Sequence, residues 1–155
     1  MEIHQDYKEL LELLNAHNVK YVIVGAYALA FHGLPRYTGD LDILIGCDEN
    51  NAEKVATVLQ DFGFSSLNIT KEDLMEPDIV IQLGYPPLRI DLITSITGVS
   101  WDEVYNNAVT GNYGDVKVLF IGKQQFIKNK KALGRYQDLA DLESIGYKNE
   151  DADSP

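Results

Sequence analysis

Apolar positions along this chain follow two rhythms, one helical and one alternating, and the two interleave. Between Asp6 and His17, Tyr7, Leu10, Leu13 and Leu14 recur three and four residues apart, the stripe of an amphipathic helix. Val19 to Val24 is a continuous apolar run of strand length. Gly25 then turns the chain into a helix from about Ala26 to Phe31, which Gly33-Leu34-Pro35 stops. Asp40 to Ile45 alternates: Leu41, Ile43 and Ile45 share one face, while Asp40 and Asp42 share the other, about 6.6 Å apart.

The second half continues in the same way. Val55, Val58, Leu59 and Phe62 form the buried face of a helix from Glu49 to Phe62, ended by Gly63. Phe64 to Asn68 reads as a short edge strand, and Thr70 with Asp73 as a capping box before a single helical turn. Ile79 to Leu83 and Leu88 to Thr94 read as two strands joined through Gly84-Tyr85-Pro86-Pro87. Ser100 caps a helix from Trp101 to Ala108, with Glu103 closing the box. Tyr113 to Ile121 reads as a further strand after a Gly111-Asn112 turn. Helices from Gln124 to Leu133 and from Tyr136 to Ile145 follow, parted at Gly134. No repeat or linker interrupts this order, so residues 1–146 are expected to form a single domain and 147–155 an acidic, disordered tail.

Aspartate is depleted in strands, so a strand face given to Asp40 and Asp42 needs a chemical reason. A divalent cation supplies one, because Mg²⁺ takes oxygen ligands from one or two carboxylates together with substrate phosphates. Asp91, between Ile90 and Leu92 on a strand expected to neighbour the first, adds a third carboxylate. Three converging carboxylates repel one another, and two cations about 3.5–4 Å apart would relieve that repulsion and form a phosphoryl-transfer site. Upstream, the order strand, Gly25, helix puts unpaired backbone N–H groups beside the positive helix end, an anion site. Arg36 and Thr38 precede the acidic strand; Arg36 is either a solvated charge or, beside such a site, a fork for phosphate oxygens.

Gly25-Ala26, thirteen further residues, Asp40-Leu41-Asp42 and a later Asp91 resemble the signature of the polymerase-β-like nucleotidyltransferase superfamily. The run from Lys128 to Ile145, with Lys130, Gly134-Arg135, Asp138 and Asp141, is similar to the ending of small stand-alone bacterial members. Some of these are related to the toxins of abortive-infection toxin–antitoxin systems. The resemblance implies an α/β (α+β) fold, a small mixed β-sheet flanked by helices, with short C-terminal helices. It implies two Mg²⁺ ions held by Asp40, Asp42 and Asp91, with Asp91 also helping to deprotonate the attacking hydroxyl. Gly25 and Ala26 would cradle the triphosphate of an NTP, with Arg36 and Thr38 near it, Lys130 as the leading cationic contact and Arg135 behind it. The family usually has Gly or Ser at its second signature position, where this chain has Ala26. For Arg135, Asp138 and Asp141, ion pairs within one helix are the alternative role.

The activity so implied is Mg²⁺-dependent transfer of a nucleoside monophosphate from an NTP to a hydroxyl, with release of pyrophosphate. The alternative is a non-catalytic nucleotide-binding or toxin–antitoxin interaction module on the same fold, with an antitoxin or target protein as partner. The chain has 155 residues and a net charge of −11, which argues against a long nucleic acid and favours a small-molecule or protein acceptor. The stretch from Lys123 to Lys131 is the one basic patch that would soften this. His4, His17 and His32 lack metal-ligand spacing, though His32, near a helix end, is the one that could approach a site. The single Cys47, beside Asp48 and Glu49, reads as a bystander. The acidic, polar N-terminus does not resemble a signal or transit peptide, so a cytoplasmic location is expected.

Overall fold

The computed structural model describes residues 2–33, 40–64, 67–85 and 87–146. In chain order its elements are α1 (Gln5–Ala16), β1 (Tyr21–Val24), α2 (Gly25–Phe31), β2 (Asp40–Ile45), α3 (Glu49–Asp61) and α4 (Lys71–Met75). There follow β3 (Val80–Tyr85), β4 (Leu88–Ile93), α5 (Trp101–Asn106), β5 (Val109–Tyr113), β6 (Val116–Phe120), α6 (Lys123–Leu133) and α7 (Tyr136–Ser144). The strands make one six-stranded mixed sheet in the order β3-β4-β2-β1-β6-β5. β2 runs parallel to β4 and antiparallel to β1, and β1 runs parallel to β6.

β1 reads as a continuous apolar run because both of its faces are covered, whereas the inner strand β6 alternates, with Lys117 exposed. β1 is buried at every position, and in β2 burial rises toward the C-terminal end, leaving Asp40 and Asp42 at its more open start. Helix α1 buries Tyr7, Leu10, Leu11 and Leu14 as one stripe, with Leu13 partly buried against it. Asp48 caps α3 by accepting from the Asn51 amide. Buried Asn51 in turn accepts from the Lys20 amide and donates to the Lys20 and Gly46 carbonyls, tying α3 to the ends of β1 and β2.

Three expectations from the pattern are corrected. No strand forms at Phe64 and 67–68: the Leu67 amide bonds back to the Phe64 carbonyl, and Asn68 has φ of 53°, both features of a turn. Tyr113 to Ile121 is not one strand after a Gly111-Asn112 turn. It spans the end of β5, a turn through Gly114 at φ of 62°, and β6. Gly111 lies within β5, where an added Cβ would stand 2.7 Å from the Phe31 ring and 2.8 Å from the Phe120 ring. Those two rings stack at 4.2 Å, so this glycine serves packing rather than turning. Finally, Ser100 accepts from the Glu103 amide as expected, but the Glu103 carboxylate goes to Lys128 at 2.7 Å and Gln125 at 3.3 Å rather than closing the box. Thr70 and Asp73 do form a full capping box, as expected. The tail at 147–155 lies outside the described residues.

Candidate functional site

Residues paired across a ladder point to the same side of a sheet, so strand register decides which side chains meet. In the parallel β2–β4 ladder, Asp42 pairs with Asp91 and Asp40 with Arg89. In the antiparallel β1–β2 ladder, Asp42 pairs with Val24, the last residue before α2. The start of α2 therefore stands beside the acidic face. Gly25 has φ of 69°, and a Cβ there would overlap Oδ2 of Asp42. The glycine is required twice, by its left-handed backbone and by the approach of that carboxylate. Ala26 is the second residue of α2, and Val24, the N-cap, brings no capping side chain to the first amides.

The carboxylates are close enough to alter one another. Asp42 is pushed up to about 6, first by burial, then by the negative charges of Asp91 and Asp40, with the positive charge of Lys130 pulling the other way. A hydrogen bond between the Asp42 and Asp91 side chains favours the protonated form further.

The pattern of the sequence did not single out Arg89. Its Nε donates to Asp91 Oδ1 at 3.0 Å, and its Nη2 donates to Asp40 Oδ2 at 2.9 Å and to Asp91 Oδ2 at 3.3 Å. Arg89 and Asp91 are two apart on one strand, which is a readable signal. The reach to Asp40 depends on register between strands 49 residues apart. Tyr7 of α1, itself buried, donates its hydroxyl to the Arg89 carbonyl at 3.0 Å and fixes the backbone at this point.

Lys130 enters from α6. Its ammonium lies 3.2 Å from Asp138 Oδ1 and 3.4 Å from Asp141 Oδ2, both carboxylates being buried, and 5.5 Å from the centre of the Phe126 ring. Lys130 is close enough to the acidic face to act on Asp42. Arg135 is committed to Asp138 through Nε at 2.6 Å and Nη2 at 3.1 Å. These bonds, with that of Lys130, hold the Asp138 carboxyl below its ordinary range. Arg135 thus takes the intrahelical ion-pair role with Asp138, while Asp141 joins Asp138 in holding Lys130. Arg36 and Thr38 lie outside the described residues.

The donors on the acidic face are all carboxylate oxygens, the chemistry that hard cations such as Mg²⁺ select. The repulsion that Asp91 and Asp40 add to the burial of Asp42 is what such a cation would relieve. On these grounds the residues fit a divalent metal. Among the described residues, however, no three His, Cys, Asp or Glu side chains already converge as a cage. Asp42 and Asp91 lie together, and Arg89 spans from Asp91 to Asp40.

Residues 3–154 match the family described as "Nucleotidyl transferase of unknown function (DUF2204)". The chain belongs to that family. Solved structures share the fold of this nucleotidyl transferase. The Thermotoga maritima protein TM1012, a candidate nucleotidyltransferase, is 15% identical with a TM-score of 0.59, covering 92% of this chain and 93% of that one. An antigenic nucleotidyltransferase-like protein from Paracoccidioides brasiliensis is 19% identical with a TM-score of 0.55, covering 92% and 75%. The lincosamide antibiotic adenylyltransferase LnuA, bound to lincomycin, is 14% identical with a TM-score of 0.57, covering 94% and 98%. At these identities the likeness is one of fold. No curated protein matches the chain by sequence.

Two other chemically capable side chains of the nucleotidyl transferase, His32 and Cys47, have structural partners. His32 donates through Nε2 to the Ile121 carbonyl at 2.7 Å, joining α2 to the end of β6. Cys47 donates to the Thr94 carbonyl at 3.1 Å, and burial raises its thiol pKa, so it is not a poised thiolate. Among the described residues no helix is long and apolar enough to cross a membrane.

Proposed function

We propose that this nucleotidyl transferase moves a nucleoside monophosphate from an NTP to a hydroxyl acceptor, releasing pyrophosphate, with Mg²⁺ held by Asp40, Asp42 and Asp91. The observation that carries this reading is the register that sets Asp42 beside Asp91, next to the glycine that opens α2. Two bound Mg²⁺ ions would neutralise phosphate charge and lower the pKa of the attacking hydroxyl. Asp40 and Asp42 would hold both metals. Asp91, one strand over, would hold the catalytic metal and help to deprotonate the acceptor hydroxyl. The backbone amides of Gly25 and Ala26 receive the triphosphate, aided by Arg36 and Thr38. Lys130 supplies positive charge from α6, kept in place by Asp138 and Asp141. Arg135 acts behind it, through Asp138.

Phosphoryl transfer asks mostly for positioning and charge stabilisation, which this rigid sheet and its buried lysine supply. The net charge of −11 favours a small molecule or a protein side chain as acceptor over a long nucleic acid. The fold shared with an adenylyltransferase of a lincosamide antibiotic supports the small-molecule class.

The test is incubation with each labelled NTP, Mg²⁺ and panels of small hydroxyl compounds and proteins, beside Asp40→Ala and Asp42→Ala variants. Pyrophosphate release that needs Mg²⁺ and disappears in both variants is expected. NTP binding without release, whatever the acceptor, would point instead to a non-catalytic nucleotide-binding module. An unchanged melting temperature with Mg²⁺ and a non-hydrolysable NTP overturns both, since a ligand at 100 times its Kd should add about 2.7 kcal/mol.

A further inference from the structure

The guanidinium of Arg89 holds a place between two of the carboxylates that the proposed function assigns to metal. It makes three donor contacts of 2.9 to 3.3 Å, one to Asp40 and two to Asp91. Its backbone is pinned by the Tyr7 hydroxyl, and its register partner is Asp40 itself, so the bridge is built into the sheet. Charge-assisted contacts from a planar fork are stronger than neutral ones and fix geometry as well as charge. Each oxygen that accepts from Arg89 has part of its lone-pair capacity taken up. A cation entering between Asp91 and Asp40 must therefore displace these contacts.

We propose that Arg89 is a positioning residue that closes the acidic face to free divalent metal and makes metal binding depend on the nucleotide. This rests on the metal assignment above and deepens it. Without nucleotide, the guanidinium supplies the positive charge that Asp40 and Asp91 need, and a bare Mg²⁺ gains little by replacing it. When a triphosphate arrives with its metal, its oxygens offer the released guanidinium a new anionic partner, so the exchange loses no ion pair. Metal and nucleotide then bind with positive coupling, and the coupling has a residue behind it.

The test needs no turnover. Binding of Mn²⁺, read from the EPR signal of the free ion, is measured for the full chain with and without a non-hydrolysable NTP, in wild type, R89Q and R89K. Wild type is expected to bind Mn²⁺ weakly alone and much more tightly with the nucleotide. R89Q is expected to bind Mn²⁺ alone at least about tenfold more tightly than wild type, the scale of one hydrogen bond to a charged group. The enhancement by nucleotide should shrink correspondingly. R89K keeps the charge but loses the two-sided fork, and should fall between the two. A melting curve in EDTA gives a second reading: R89Q should melt below wild type and regain more than wild type on adding Mn²⁺. Equal or weaker binding of Mn²⁺ by R89Q, where wild type does bind with nucleotide, overturns the role of Arg89 and leaves the metal site standing. Failure of every variant to bind Mn²⁺, with or without nucleotide, overturns both.

Discussion

Gly25 and Asp42 cannot both keep their places if the glycine gains a side chain, because a Cβ at residue 25 would overlap the Asp42 carboxylate. The φ of 69° adds a backbone cost of about 1–2 kcal/mol for any other residue. Gly25→Ala is therefore expected to lower the melting temperature moderately and to displace Asp42 from its place beside Asp91. Binding of NTP with Mg²⁺ should fall well beyond what the loss of stability explains. Melting curves and nucleotide titration on the same preparation check this. A variant that binds nucleotide as wild type does would remove the close approach from the account.

The crowding of carboxylates sets a pH dependence. Asp42 has an ordinary value of 3.8 and is raised to about 6 by burial and by its acidic neighbours. Between those values the native state holds more protons than the unfolded state, so stability falls as pH rises from about 4 to about 6. Above that range the loss is complete, on the order of 3 kcal/mol from this group. Asp42→Asn should flatten this part of the profile in EDTA. Melting of both proteins at pH 4 to 7 measures the difference. Mg²⁺ with nucleotide should restore the wild type near pH 7 and leave the variant unmoved.

The acidic face of β2 is legible in the sequence because Asp40 and Asp42 break an otherwise apolar period-two pattern. The same holds for Gly25, where strand and helix rhythms change over. What joins these pieces is less visible. That Asp42 meets Asp91 depends on a parallel pairing whose register no local pattern contains, and Arg89 reaches Asp40 by the same register. Turn chemistry misled where it was duplicated: Gly111-Asn112 and Gly114-Asp115 offer the same signal three residues apart, and only the second lies in the turn. Lys130, Asp138 and Asp141 carry helical spacing whether they pair within a helix or across two. The turn at Gly134, with φ of 64°, brings α7 back onto α6 and settles it.

Two cations share the Asp138 carboxylate, and their burial predicts unequal effects. Lys130 is about 11% exposed at its side chain, Arg135 about 67%, and Asp138 is fully enclosed. Removing the enclosed charge leaves Lys130 buried with Asp141 as its remaining close carboxylate, so Asp138→Asn should cost about 3 kcal/mol or more. Arg135→Ala removes a pair open to solvent and should cost about 1 kcal/mol or less. Urea denaturation of the two variants orders them. A larger loss for Arg135→Ala would show that the guanidinium, not the ammonium, balances this carboxylate.

A last prediction separates packing from chemistry. Gly111 lies on β5, near the sheet edge, and its missing side chain leaves room for the stacked rings of Phe31 and Phe120. Phe31 is the last residue of α2, whose first residue is Gly25, so the stack anchors the far end of the helix that opens onto the acidic face. Gly111→Ala puts a methyl group within 3 Å of both rings and should cost about 1–3 kcal/mol by overpacking. Because the strain enters at the helix end remote from Asp42, the affinity for Mg²⁺ with NTP should stay within about twofold of wild type at temperatures where the variant is folded, a change below about 0.5 kcal/mol. Calorimetry for stability and nucleotide titration for affinity test the two halves separately. A large loss of affinity would mean that α2 transmits displacement along its length, and that the ring stack helps to position Gly25.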